Sequence, residues 1–459
     1  MYHAETTKEK MKLFLTILWP IMTTQLSLFA MNLVDTMMSG RAGTDDLAGV
    51  AIGSSLWMPV FTAVNGILLA MTTIIAQLMG RGRSDHVHAS VTQALYLGAA
   101  LTAAVLLTGT AGLNTVLQSM SLAPAVYDIA FRYLIGLSFG ILPLFLFFVL
   151  RNFFDGQGLT RITMYILLLA LPVNITANYG LIFGNFGLPE LGGVGAGYAT
   201  AITYWTMFLL GALMTFRLQV VRHYKLFSNW VKPSLTAWKE QLALGIPMGL
   251  SLFFEASIFS VVTLLIGVMF ATETIAANQI VLNFTSLIFM IPLSISMAIT
   301  IVVGFSVGGK RFDNARRYSV IGISGGVGVL AVGAVFLYFF RETIAYWYTD
   351  DPDVVAIAMT LFLVAIVYQL SDALQSGLQG VLRGYKDVTL PFYIAFVSYW
   401  LLGLPVGYSL ASFTTLGPIG FWIGITIGLT SAAAGFALRL KTVQRRADEI
   451  DNEERRSNN

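Results

Sequence analysis

Three acidic residues lie within long apolar stretches of the chain, where a charged side chain is costly. They are Asp35, Glu255 and Asp372. A charge at the centre of a lipid bilayer costs at least about 2.5–3.5 kcal/mol, so an acid that is retained there usually faces a cavity and handles ions or substrate. The alternative for each residue is a protonated or hydrogen-bonded acid with a structural role only.

Polar residues in the first half of the chain could accompany Asp35. Gln25 and Asn32 lie on the same side of a predicted helix as Asp35. Asn32 is three residues before Asp35, and Gln25 is seven residues before Asn32. The others, in two later apolar segments, are Asn174, Asn178 and Thr200. A single acid among amides and a hydroxyl is suited to binding a proton, because removal from water disfavours the charged carboxylate.

The second half of the chain carries the other two acids. Tyr368 and Asp372 are four residues apart, so both lie on one face of a helix, and Glu255 belongs to an earlier apolar segment. Two carboxylates and a phenol oxygen are hard ligands suited to a small cation, so Na⁺ could bind at Glu255 and Asp372. Two close carboxylates without a cation would share a proton instead. The ion that binds at this site could therefore be Na⁺ or H⁺. Gln279 and Asn283 form another polar stripe in this half.

Basic residues are not placed deep within any predicted span. Arg132 and Arg151 both lie near segment ends. The acids therefore predict a cavity of negative potential that attracts cations. Aromatic residues, 13% of the chain, and 18 methionines could line it, although most aromatics are expected to pack in or against the lipid.

The composition indicates a membrane protein. Of the 459 residues, 56% are hydrophobic and only 11% are charged, whereas soluble domains carry about 25% charged residues. Twelve apolar runs reach the length of about 20 residues that a membrane-spanning helix needs. Cysteine is absent, which excludes disulfides and thiolate metal sites.

The distribution of positive charge predicts the orientation. Of the 27 lysines and arginines, all but Arg41, Arg132 and Arg341 lie in the two terminal tails and in alternate loops. Positive loops face the cytoplasm, so both termini are expected there.

The two halves of the chain also resemble each other at a separation of about 227 residues, which pairs Pro20 with Pro247. We therefore predict an all-α integral membrane protein with twelve helices in two six-helix lobes, related by a pseudo-twofold axis along the membrane normal. The expected domains are an N-terminal lobe at 1–216, a cytoplasmic linker at 217–239 and a C-terminal lobe with a polar cytoplasmic tail at 240–459.

Several stretches resemble the multidrug and toxic compound extrusion (MATE) family, and within it the NorM-like branch. They are WPIMTTQLSLFAMNLVDTMMSGRAG at 19–43, LPVNITANYGLIFGNFGLPELGGVGAGYATAITYW at 171–205, and LGLPVGYSLA…LGPIGFWIGITIGLTSAA at 402–433. The resemblance implies secondary active export of hydrophobic organic cations in exchange for Na⁺ or H⁺, by alternating access of two lobes.

The resemblance also implies roles for individual residues. The residues that match the family's proton-linked site in the first lobe are Asp35, Asn174, Asn178 and Thr200. Those that match the cation site of NorM-like members are Glu255, Tyr368 and Asp372. Asp350 and Asp351 match acids of an external loop that could meet the substrate, and a solvated loop is their other interpretation. With Gln25, Asn32, Gln279 and Asn283 they form the predicted substrate cavity.

The expected protein is thus an ion-coupled antiporter rather than an enzyme, without a cofactor beyond the coupling Na⁺ or H⁺. We expect hydrophobic cationic small molecules and membrane lipids as partners, no nucleic acid, and a monomer in a bacterial inner (plasma) membrane. One alternative is a lipid-linked precursor flippase of the same superfamily, whose anionic cargo would call for basic residues in the cavity. An intramembrane enzyme is less favoured, because the sequence contains no H-E-x-x-H, P-loop or G-x-S-x-G motif.

Overall fold

The computed structural model describes residues 3–457, apart from the side chains of residues 454, 455 and 457. Every regular element in this range is a helix, which confirms the all-α class. The helices of the first half are α1 Thr7–Ala42, α2 Thr44–Gly80, α3 Val87–Ser119, α4 Pro124–Ser138, α5 Ile141–Gly156, α6 Thr160–Phe183, α7 Gly193–Arg217 and α8 Gln219–Arg222. A short 3₁₀ turn at Ser84–His86 precedes α3.

The second half continues in the same way. Its helices are α9 Leu235–Met269, α10 Thr272–Gly308, α11 Phe312–Tyr346, α12 Pro352–Gly384, α13 Thr389–Phe396, α14 Leu404–Phe413 and α15 Pro418–Ser457. A π-helical segment, Val397–Gly403, joins α13 to α14, so that Thr389–Phe413 forms one span.

The number of spans agrees with the prediction. Within the described residues, eleven helices are long and apolar enough to cross a membrane, and α4 and α5 together make a twelfth, bent by 50°. The bend lies at Gly140, where an added Cβ would overlap the backbone of Ala201 in α7. A side chain at this position would therefore separate α7 from the bend.

The chain divides into two compact units. One comprises Trp19–Leu78 and Gly82–Gly249, and the other comprises Met1–Leu18, Met79–Arg81 and Leu250–Asn459. For brevity we call them the Asp35 unit and the Glu255 unit. In both α1 and α9 the change of unit occurs within three residues of a helix-interior proline, Pro20 and Pro247. The domain boundaries predicted at 216 and 240 remain predictions.

The predicted linker is anchored within the Asp35 unit. Gln93 of α3 donates to the carbonyl of Lys232 at 2.7 Å and accepts from the backbone N–H of Ser234 at 2.9 Å. Tyr96, one turn later on α3, donates to the carbonyl of Val231 at 2.8 Å. The segment before α9 is thus held against α3 by side-chain hydrogen bonds.

Candidate functional site

Two helices of the Asp35 unit, α6 and α7, place three hydrogen-bond donors around the Asp35 carboxylate. Asn178 donates to Oδ1 at 2.6 Å, Asn174 donates to the same oxygen at 3.2 Å, and Thr200 donates to Oδ2 at 3.0 Å. Asp35 itself is only 8% exposed. A buried carboxylate is costly unless hydrogen bonds replace its hydration, and here each oxygen has at least one donor.

Local sequence explains why these donors meet. Asn174 and Asn178 are one turn apart on α6, and Asn178 also donates to Asn174 Oδ1 at 3.3 Å. Glycines of α7 allow its backbone to approach its neighbours: a Cβ at Gly195 would overlap Leu181 of α6, and one at Gly197 would overlap the carbonyl of Tyr133 in α4. The first turn of α7 is fixed by Asp46, which accepts from the N–H of Gly193 at 2.7 Å.

The Thr200 hydroxyl has two acceptors within reach. Its Oγ1 lies 3.0 Å from Asp35 Oδ2 and 2.8 Å from the carbonyl oxygen of Ala196. A hydroxyl has one proton to donate and can also accept. It can therefore donate to an ionised Asp35, or donate to Ala196 and accept from a protonated Asp35. The side chain is thus able to serve both protonation states without changing its position.

Two aromatic residues near Asp35 were not predicted from the sequence. Tyr133 of α4 and Tyr204 of α7 both interact electrostatically with Asp35. Tyr133 is 3% exposed, and its hydroxyl lies 3.2 Å from that of Ser54. Sequence reasoning did not find these two residues, because a tyrosine in an apolar segment resembles a core or interfacial residue until its neighbours are known.

The Glu255 unit brings together the second predicted set. Glu255 of α9 interacts electrostatically with Asp372 and Tyr368 of α12. Asp372 is 3% exposed and Tyr368 is 6% exposed, whereas Glu255 is partly exposed. The Tyr368 ring packs edge-on against Phe259 at 5.9 Å and Trp422 at 5.6 Å, and Trp422 in turn donates to Asn278 Oδ1 at 2.9 Å.

The polar groups beside Asp372 are incompletely satisfied. Ser376 donates to Asp372 Oδ1 at a long 3.4 Å. Gln369, three residues before Asp372 on the same side of α12, is 2% exposed, and neither atom of its amide has a hydrogen-bond partner in the described part of the chain. Buried polar groups rarely remain without partners. Two carboxylates, a phenol and a free amide oxygen fit the ligand chemistry of a small hard cation.

Two basic residues near helix ends are nevertheless buried within the protein, which was not predicted from the sequence. Arg151 and Arg383 are each 3% exposed. Arg151 lies 3.5 Å from Asp155 in an ion pair, and Thr163 donates to the same carboxylate at 2.9 Å. Arg383 interacts electrostatically with Glu255. It was missed because α12 continues to Gly384, beyond the length that a membrane span requires.

The residues predicted for the substrate cavity lie in different environments. Gln25 is buried and accepts from Arg151 at 3.4 Å. Asn32, Gln279 and Asn283 are exposed, and Asn283 accepts from Tyr348 at 3.1 Å. Exposed amides within apolar helices suit a watery surface better than lipid.

The two acids of the loop before α12 are both exposed. Asp351 caps α12 by accepting from the N–H of Asp353 at 2.9 Å, so it also has a structural function. A role in substrate binding stays a prediction for all six residues of the predicted cavity.

In the residues that the structure describes, no cluster of three or more His, Asp or Glu side chains could hold a metal ion.

A family model matches both halves of the chain. The MatE model covers residues 20–180 and 247–409. The two matched segments begin at Pro20 and Pro247, the pair from which the sequence repeat was recognised.

Curated relatives match along almost the whole chain. The probable multidrug resistance protein NorM of Halalkalibacterium halodurans is 50% identical over 446 residues, which cover 97% of both chains. The protein of the same name from Bacillus subtilis is 47% identical and matches 97% of this chain and 98% of its own length.

Solved structures share the fold at low identity. The outward-facing conformation of a multidrug resistance MATE family transporter matches with a TM-score of 0.85 at 19% identity, over 96% of this chain and 97% of that one. A eukaryotic MATE transporter matches with a TM-score of 0.83 at 21% identity, over 97% and 99% of the two chains.

Proposed function

Because the chain belongs to the MatE family, a family of membrane transporters rather than enzymes, we propose that it is a secondary active multidrug exporter. It exchanges hydrophobic organic cations for Na⁺ or H⁺ by alternating access of two lobes, with both termini in the cytoplasm of a bacterial cell. The names of its relatives, probable multidrug resistance proteins, support the substrate class.

One observation carries the coupling mechanism: each unit has its own buried carboxylate centre, and the two centres differ in chemistry. Asp35 is surrounded by three neutral donors. Glu255 and Asp372 interact with each other and with Tyr368. A single acid among neutral donors suits a proton, whereas a carboxylate pair with a phenol suits Na⁺.

The Asp35 centre binds and releases the proton. When Asp35 is ionised, Asn174, Asn178 and Thr200 replace the water that it has lost. When it is protonated, the carboxyl O–H needs an acceptor, which the Thr200 oxygen supplies once its own proton turns to Ala196. Both states are therefore accommodated, which reversible ion exchange requires.

The Glu255 centre binds Na⁺ between its two carboxylates. An entering cation removes their mutual repulsion, and Tyr368 and Gln369 add neutral oxygen ligands. The organic cation then meets acids whose charge depends on the bound ion. Competition for this negative potential couples the exit of one cation to the entry of the other.

The buried arginines favour this function over transport of an anionic lipid-linked precursor. Such a cargo needs basic groups whose charge is not already balanced. Arg151 is paired with Asp155, and Arg383 interacts with Glu255. Neither offers the uncompensated positive charge that an anionic headgroup would require.

Efflux from liposomes tests the proposal. The purified protein is reconstituted with an encapsulated fluorescent organic cation, and Na⁺ or pH gradients are imposed separately without nucleotide. We expect at least one inward-directed gradient to accelerate efflux above that of protein-free liposomes. Equal efflux with and without both gradients would refute ion coupling.

A further inference from the structure

Arg383 continues the polar face of α12 that carries Asp372. Asp372, Ser376, Gln379 and Arg383 follow one another at spacings of four, three and four residues, so they lie on one side of the helix. All four are buried, and Arg383 is 3% exposed. Its Nη2 has no hydrogen-bond partner within residues 3–457.

Glu255 is close enough to both Asp372 and Arg383 to interact with each of them. Eleven residues of α-helix extend about 16 Å, and Glu255 interacts electrostatically with both of these side chains. A positive charge thus acts on Glu255, one member of the carboxylate pair. Tyr399 also interacts with Arg383, but a neutral phenol does not balance its charge.

The Asp35 unit has the opposite charge at the equivalent position. Gly156 and Gly384 are 228 residues apart, and an added Cβ at each would meet Ile75 and Val303, which are also 228 residues apart. Aligned in this way, Arg383 corresponds to Asp155, and Gln379 corresponds to Arg151.

The change leaves a net positive charge at this pair of positions in the Glu255 unit. Arg151 and Asp155 neutralise each other at 3.5 Å, whereas the pair Gln379 and Arg383 carries one positive charge. The next acid along the chain, Asp387, is engaged by Arg439 in two hydrogen bonds of 2.6 and 3.0 Å. The negative charge that balances Arg383 must then come from Glu255, because an unbalanced buried charge is very costly.

We propose that Arg383 is a built-in counter-charge of the Glu255–Asp372 site, which weakens Na⁺ binding enough for the ion to be released in each cycle. This inference rests on the proposed function. With both carboxylates ionised, Arg383 reduces the charge of the site from −2 to −1, and one Na⁺ then makes the site neutral. Without Arg383 the occupied site would keep a negative charge and hold the ion more tightly.

Na⁺ binding to the full-length protein in detergent tests the inference, with radioactive Na⁺ as the probe. Arg383→Met removes the charge and keeps a long side chain. We expect its Na⁺ affinity to rise roughly tenfold, which corresponds to two unit charges about 10 Å apart at an effective dielectric constant near 20. Arg383→Lys keeps the charge and should remain close to the wild-type affinity.

Arg445→Gln is the control. It removes a positive charge from the same unit, but from an exposed side chain that is paired with Glu449 at 3.0 Å. Its Na⁺ affinity should equal that of the wild type. If Arg383→Met is not monodisperse, Arg383→Gln takes its place under the same criterion.

Turnover separates this role from a structural one. A counter-charge predicts that Arg383→Met binds Na⁺ more tightly, reaches half-maximal export at lower Na⁺ and turns over more slowly. A damaged site would bind Na⁺ more weakly. Unchanged or weaker Na⁺ binding in both neutral variants would overturn the inference.

The results that would refute the proposed function differ from those that would refute the role of Arg383. If Glu255→Gln and Asp372→Asn bind Na⁺ as the wild type does, these carboxylates are not the site. If the wild type binds no Na⁺, the inference on Arg383 is overturned, while gradient-driven efflux decides separately whether a proton couples export.

Discussion

The hydroxyl of Thr200 lies 3.0 Å from Asp35 Oδ2, and this contact joins α7 to the acid of α1. The same oxygen lies 2.8 Å from the carbonyl of Ala196. The pair can therefore exchange donor and acceptor roles when Asp35 gains or loses a proton. The proposed proton coupling depends on this hydrogen bond between Thr200 and Asp35.

Removal of the hydroxyl should slow export. Thr200→Val keeps the shape of the side chain but leaves Asp35 without a donor on Oδ2, and a hydrogen bond to a charged group contributes about 1.5–3 kcal/mol. We expect at least a tenfold loss of gradient-driven efflux, ~1.4 kcal/mol. Thr200→Ser should retain most activity. Equal rates for the valine and serine variants would contradict the role of the hydroxyl.

Asp35→Asn should abolish or strongly impair efflux while the protein stays folded. The substitution removes the titratable group and keeps the size of the side chain. Efflux in liposomes and monodispersity in detergent measure the two properties. Wild-type transport at every pH across the neutral range would show that Asp35 has no coupling role.

The Tyr368 hydroxyl should matter for the ion rather than for packing. The ring is held by Phe259 and Trp422, so Tyr368→Phe should unfold at the wild-type temperature. Loss of one oxygen ligand should weaken Na⁺ binding severalfold, because a neutral contact is worth about 0.5–1.5 kcal/mol. Unaltered Na⁺ affinity would remove the phenol from the site.

The close approach of α7 to α4 should make Gly197 intolerant of a side chain. In Gly197→Ala the new methyl overlaps the carbonyl of Tyr133, and such overpacking costs about 1–3 kcal/mol. Thermal unfolding in detergent should show a lower midpoint. Gly112→Ala in α3 is the control, because nothing lies within 4 Å of its Cβ. Equal midpoints for the two variants would contradict the packing.

The orientation can be tested at the C-terminus. Since only Arg41, Arg132 and Arg341 depart from the bias of positive charge, a reporter fused after Asn459 should be active in the cytoplasm. A reporter that is active only outside the cytoplasm would reverse the topology.

The site residues could be predicted from the sequence where polar side chains recur at helical spacing within an apolar segment. Asn174 and Asn178 are four residues apart in an apolar segment, and both donate to Asp35 in the structure. Tyr368 and Asp372 similarly share a buried face of α12. The family resemblance joined residues from separate helices, which spacing alone cannot do.

Features that depend on helix length or on packing were missed. The 33 residues of α12 extend past the predicted span, so Arg383 was counted with a loop. The 50° bend between α4 and α5 occurs where Ala201 approaches Gly140, a contact that hydrophobic patterning does not record. The capping role of Asp351 was readable, since an aspartate followed by proline is typical of a helix start.

Counterflow of the ion is the most direct test of antiport. Liposomes containing the purified protein are given an outward gradient of an organic cation, without a gradient of Na⁺ or H⁺, and internal Na⁺ and pH are recorded. We expect the organic cation to drive Na⁺ or H⁺ inward in the wild type, and no ion movement in the variant that combines Asp35→Asn, Glu255→Gln and Asp372→Asn. Export without ion entry, or equal ion entry in that variant, would contradict coupling through these carboxylates.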